Sequence, residues 1–122
     1  METTQGKAIA AYGTLAQLGR KTMPSFAAYK LFRLKKALSP MIEFQTEQEE
    51  KLVDELGGRI TETGVILFAE KEKQAEYAKR HRELEGLACE VDIAKIAMTM
   101  KELPEISVAD METLDDFIEW KE

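Results

Sequence analysis

One cysteine, one histidine and one tryptophan are all that this 122-residue chain holds of those types. The lone Cys89 excludes a disulfide framework within the chain and suits a reducing compartment. The lone His81 excludes the two-histidine spacing of common zinc sites, and no Glu-x-x-His motif occurs. No apolar run approaches the roughly 20 residues of a membrane span. Residues Ala8 to Leu18 are too mixed, and lack the basic leader, for a signal peptide. Aromatics make up only 7% of the chain, yet apolar residues reach 44%, so disorder is not indicated. No internal repeat, linker or low-complexity tract interrupts the sequence. These absences point to one cytoplasmic domain, 1–122, with no membrane association.

What is present is helical periodicity. Ala27, Leu31, Leu34, Leu38 and Met41 recur at steps of four and three, and Leu52 and Leu56 extend the seam after a gap at Gln45 and Glu49. That spacing keeps one apolar stripe on one side of a helix. A second, shorter stripe with Tyr29 and Phe32 predicts cover on two sides. Pro24 fits a first helical turn, and Gly57-Gly58 a left-handed stop. Ser39-Pro40 falls in the middle, where a proline removes a hydrogen bond at a cost of about 3 kcal/mol. The sequence therefore favours a break, with Ser39 capping a new helix, over a single bent one.

The rest assembles around this stretch. Thr3 or Thr4 can cap a first helix whose apolar face holds Ile9, Tyr12, Leu15 or Ala16, and Leu18. Gly19 to Thr22 then turns it back on the second helix. Arg59-Ile60-Thr61 and Val65 to Phe68 flank Gly64 as a small β-hairpin. A polar return helix follows, with Gln74, Tyr77, His81, Leu84 and Ala88 on one thinly apolar face. Glu90 to Ile93 alternate as a short strand, and Ile96 and Met98 lie in an extended segment. Ser107 and Asp110 form a capping box for a last helix anchored by Val108, Met111, Leu114, Phe117 or Ile118, and Trp120. Glu112, Asp115, Asp116 and Glu119 line its other side.

The predicted fold is therefore α+β and predominantly α: a long antiparallel helical hairpin with a small β-hairpin at its tip, plus N-terminal and C-terminal helices. Residues 1–38 form a basic N-terminal helix pair. Residues 40–88 form the helical hairpin, with the β-hairpin at 59–68. Residues 90–122 hold short strands and the acidic C-terminal helix.

The net charge of −6 hides an asymmetry. Residues 1–42 hold seven basic groups against Glu2 alone, and the remainder holds ten basic against twenty-two acidic. Either the basic helices neighbour the acidic end within the fold, or the imbalance guides self-association or a charged partner.

Candidate chemistry is thin. His81 with Tyr77 and Glu85 could mimic one side of a metal or acid–base site, but a histidine settled at an interface is the better reading. Cys89 lies eight residues from His81 without a nucleophile signature, and reads as a small hydrophobe. Asp110, Glu112, Asp115 and Asp116 have helical spacing and no cation loop. Lys30, Arg33, Lys35 and Lys36 beside Tyr29 and Phe32 could meet nucleic acid, but overall acidity and the lack of a module argue against it. Gly57-Gly58 lacks the lysine and helix start of a phosphate loop.

Tyr12-Gly13-Thr14-Leu15-Ala16-Gln17-Leu18 comes early, and Pro24 leads into Ala28-Tyr29-Lys30-Leu31. Glu90-Val91-Asp92-Ile93, Glu102-Leu103-Pro104 and Met111-Glu112-Thr113-Leu114 follow. Over most of the chain this pattern resembles a family of small, uncharacterised phage and prophage proteins of Gram-positive bacteria. Pro40 departs from the uninterrupted helix expected there. The resemblance implies a phage context, in the host cytoplasm or associated with the virion, and supplies no catalytic residue or cofactor.

The expected function is non-enzymatic binding of a host or phage protein. Tyr77, His81 and Leu84 are one expected contact face; Asp115, Asp116, Glu119 and Trp120 are the other. Two forms stand open: inhibition of a host defence protein by an acidic surface, and a virion-assembly or scaffolding role with self-association into a homo-oligomer; binding of a small ligand or nucleotide is a separate alternative.

Overall fold

The computed structural model describes residues 1–121, so Glu122 lies outside the described residues. The protein is predominantly helical, with short strand pairs. In chain order the elements are β1 (Glu2–Thr4), α1 (Gln5–Leu18), α2 (Ser25–Glu55), β2 (Arg59–Ile60), β3 (Ile66–Leu67) and α3 (Lys71–Glu85). Then come β4 (Ala88–Glu90), β5 (Ile96–Thr99), α4 (Val108–Leu114) and β6 (Ile118–Lys121). Short 3-10 turns cover Met100–Glu102 and Asp115–Phe117. No helix is long and apolar enough to cross a membrane among the described residues.

The central seam is where periodicity places it. Ala27, Leu31, Leu34, Leu38 and Leu52 are buried and Met41 is half-buried. The first four join Ala8, Ala11, Leu15 and Leu18 of α1 in the main core. Alanines at positions 8 and 11 carry no bulk, which lets the helices approach closely. The gap in the seam is filled by Gln45, itself buried, and by Glu49, which turns toward α3. So α2 meets two other helices: α1 along its first half, and α3 through Gln45, Glu49 and Glu55.

Two expectations for this helix are corrected. Helix α2 runs unbroken through Pro40. Leu34 and Leu38 are buried on one side of the proline and Gln45 and Leu52 on the other, so packing outweighs one missing hydrogen bond. Ser39 does not cap a new helix; its hydroxyl donates back to the Lys35 carbonyl at 3.4 Å. The second apolar stripe is not covered either: Tyr29 and Phe32 are 61% and 57% exposed, because no element packs over that side.

Punctuation read from the sequence appears in the backbone. Gly57 and Gly64 take φ of 69° and 84°, closing α2 and turning β2 into β3. Arg59 pairs with Leu67 and Ile60 with Ile66. Thr4 accepts from the Lys7 amide to cap α1, and Ser107 from the Asp110 amide to cap α4.

The remaining strands differ from expectation. Glu2–Thr4 pairs antiparallel with Ala88–Glu90, so strand β4 shares only Glu90 with the Glu90 to Ile93 segment predicted. The C-terminal helix stops at Leu114. Beyond the 3-10 turn, Ile118 to Lys121 form a strand parallel to Ile96–Thr99. Ile118 is buried, Glu119 exposed, Trp120 half-buried and Lys121 exposed. That two-residue alternation suits a half-covered strand. Leu114, Phe117, Ile118, Val91 and Met98 complete the core under these elements.

Candidate interaction surfaces

Three places gather chemistry. The first lies where α3 meets α2. His81 reaches Glu49 Oε2 from Nε2 at 2.7 Å and Glu85 Oε1 from Nδ1 at 2.8 Å. Both contacts are hydrogen bonds only when both ring nitrogens carry hydrogen. Gln45 Nε2 also donates to Glu49 Oε2, at 3.4 Å. Tyr77 stacks between Phe68 and His81, with centroids 5.3 and 5.6 Å away. Burial, then the Glu49 carboxylate, holds the Tyr77 hydroxyl above its ordinary pKa. Leu84 is buried, and Arg80 pairs with Glu55 at 2.7 Å. The face expected to meet a partner through Tyr77, His81 and Leu84 thus makes these contacts within the chain.

The second place is the acidic end. Asp115 and Asp116 lie in the 3-10 turn and Glu119 in β6; all three are exposed. Trp120 Nε1 donates to Asp115 Oδ1 at 3.2 Å, and Lys7 pairs with Asp116 at 3.2 Å. Lys121 donates to Glu119 and, with Lys95 in a smaller part, holds its carboxyl below the usual range. The basic N-terminal part does neighbour the acidic part: Lys30 also pairs with Glu102 at 3.2 Å. The described residues form no cluster of three His, Cys, Asp or Glu side chains able to hold a metal ion.

The third place holds Arg33 and Lys36 beside Tyr29 and Phe32, a group the sequence offers for nucleic acid, but sequence reasoning does not extend it past Pro40. One outward face of α2 carries Phe26, Tyr29 and Phe32, each more than half exposed, beside exposed Arg33 and Lys36. Past Pro40 the same face carries exposed Glu43, Glu47, Glu50 and Asp54, with Phe44 and Lys51 alongside. Tyr29 and Phe32 drew attention in the sequence, but helical spacing alone reads as core. The discriminating signal was the seven-residue recurrence of Phe26, Arg33, Pro40, Glu47 and Asp54, which is too charged for a buried stripe.

No protein family, curated protein or solved structure matches this chain.

Shallow grooves flank this ridge. Tyr12, Lys35 and Ser39 line one side with Phe32 and Lys36; Asp92, Ile93 and Ala37 line the other with Arg33 and Pro40. Lys35 lies over the Tyr12 ring at 5.4 Å, and Lys30 over Phe26 at 5.7 Å. The arrangement offers aromatic area and unmatched charge on a rigid element, which is the chemistry of recognition.

Proposed function

We propose that this chain acts without catalysis, by binding another protein, and that it does so as a phage or prophage protein in the host cytoplasm or on the virion. The observation that carries this reading is the outward ridge of α2. Three aromatic side chains more than half exposed on one helix face are a costly surface for a solitary protein. Aromatic residues with arginine are also the types enriched at binding interfaces. In this reading the molecule works as one domain. Helices α2 and α3 are the arms of a hairpin with the β2–β3 pair at its tip, and the ridge runs along the longer arm.

Among the open forms, virion assembly or scaffolding has an observation in its favour: the ridge changes charge sign along its length. Inhibition of a host defence protein through Asp115, Asp116 and Glu119 has less, because Lys7, Lys121 and Trp120 already engage those carboxylates.

The test is capture by the tagged full chain from nuclease-treated host lysate, with and without phage infection, read by mass spectrometry. Tyr29→Ala/Phe32→Ala should lose the specific partner, whereas Asp115→Lys/Asp116→Lys should keep it. Capture that survives loss of both aromatics overturns the ridge as the surface. Loss of a captured host nuclease with the aspartate pair alone would make the protein an acidic inhibitor instead.

A further inference from the structure

Resting on the protein-binding reading, we propose that the outward face of α2 binds a second copy of this chain. The two α2 helices lie antiparallel about a two-fold axis near Pro40.

The face is divided at that proline. Before it stand Arg33 and Lys36 with the aromatics; after it stand Glu43, Glu47, Glu50 and Asp54. Arg33 and Glu47 are seven positions either side of Pro40, and Phe26 and Asp54 fourteen. An antiparallel mate therefore lays the basic half of each copy over the acidic half of the other, twice by symmetry. A parallel mate would set like charge on like charge.

The rest of α2 supports this assignment. Off the face, three of the four charges find ionic partners inside the chain, Lys30 with Glu102, Glu49 with His81 and Glu55 with Arg80, and the fourth, Lys35, lies over the Tyr12 ring. On the face, among the described residues, none of Arg33, Lys36, Glu43, Glu47, Glu50 or Asp54 takes part in a salt bridge. Lys51, the one cation in the acidic half, falls opposite Tyr29 of the mate and suits its ring. A nucleic acid fits poorly, because the acidic half of the same face would repel it.

Residues 26–54 span roughly 40 Å at 1.5 Å per residue. One helix face of that length buries on the order of 1,000 Å² in total, at the low end for specific pairs. The dimer is therefore weak, in the micromolar range or above, and sensitive to salt.

Sedimentation equilibrium of the full chain, from about 10 µM to about 1 mM at low salt, reads this directly. Wild type should pass from monomer to dimer, and the dissociation constant should rise about tenfold when the salt is raised to about 0.5 M. Arg33→Glu/Lys36→Glu makes the face acidic apart from Lys51, and Glu43→Lys/Glu47→Lys makes it largely basic. Each variant alone should stay monomeric, an equimolar mixture should form a heterodimer, and all four changes together should restore the homodimer. These positions are exposed, and circular dichroism verifies that each variant folds.

A wild type that stays monomeric throughout overturns the proposal, as do charge variants that dimerise like wild type. A monomeric wild type that still captures another protein through Tyr29 and Phe32 overturns the dimer while leaving the binding reading intact. A monomer that captures nothing overturns both.

Discussion

The side-chain amide of Gln5 donates to the backbone carbonyl of Met41, one residue past the proline in the middle of α2. Gln5 is buried at the start of α1, so the first helix ties down the second just past its proline. Gln5→Ala removes this second donor from a carbonyl that still accepts the Gln45 amide within α2. One hydrogen bond is worth about 0.5–1.5 kcal/mol net, so the urea midpoint should fall by a corresponding amount. An unchanged midpoint would mean that the bond adds nothing to the continuity of α2.

Pro40→Ala should act in the opposite direction. Restoring a mid-helix hydrogen bond returns up to about 3 kcal/mol, offset by about 1 kcal/mol as the unfolded chain gains freedom. A net gain of about 1–2 kcal/mol in denaturant melts is expected. A loss would show that the neighbouring core is built around the gap left by the proline.

His81 couples α3 to α2 through Glu49. The groups are partly exposed, so the pair should contribute only about 1 kcal/mol. A double-mutant cycle with His81→Ala and Glu49→Gln should return a coupling of that size. A coupling near zero would leave the aromatic stack of Phe68 and Tyr77 as the joint that matters.

How much of this was legible in the sequence follows from range. The α2 seam, its glycine stop, the Gly64 turn and the Ser107 cap rest on contacts a few residues apart, and local spacing reveals those. Strand β1 does not show, because three residues starting at Glu2 find their partner near position 89. Phe117 to Trp120 satisfy both helical spacing and strand alternation, and only pairing with Ile96–Thr99 decides between them. The same limit applies to the candidate surfaces. Tyr77, His81 and Leu84 belong to one helix, and the contacts found for it lie within the chain: His81 meets Glu49 of α2 and Tyr77 meets Phe68. Tyr29 and Phe32 read as core because a periodic pattern does not say which faces are covered.

Gly58 lies against Phe68 where the chain leaves α2. A Cβ added there would sit 2.4 Å from Phe68 Cε1 and 3.1 Å from the Leu67 carbonyl oxygen. The aromatic ring and the backbone both stand in the way, so Gly58→Ala must displace Phe68 from Tyr77. Destabilisation of about 1–3 kcal/mol is expected, with altered tyrosine fluorescence. Gly13→Ala, where nothing lies within 4 Å, is the contrasting substitution. On an exposed helix interior it should add about 0.5–1 kcal/mol. Equal effects at the two positions would refute steric contact as the cause.

Cys89 stands opposite Thr3 in the β1–β4 pair and packs against the main core. Burial, then the Glu90 carboxylate, pushes its thiol above the ordinary value of 9.0. The thiolate is the reactive form, so the folded protein should be alkylated slowly at pH 8. A rate–pH profile with iodoacetamide should have its midpoint above that of the urea-unfolded chain. Between the unfolded and folded values the native state holds the proton more tightly, so rising pH favours unfolding through this group. Stability from Cys89 is thus full below the unfolded value and is lost as pH climbs through the folded one. A folded midpoint at or below the unfolded one would mean that the β1–β4 pair opens enough to hydrate the thiol. It would place the weakest part of the fold at the ladder that joins Glu2–Thr4 to Ala88–Glu90.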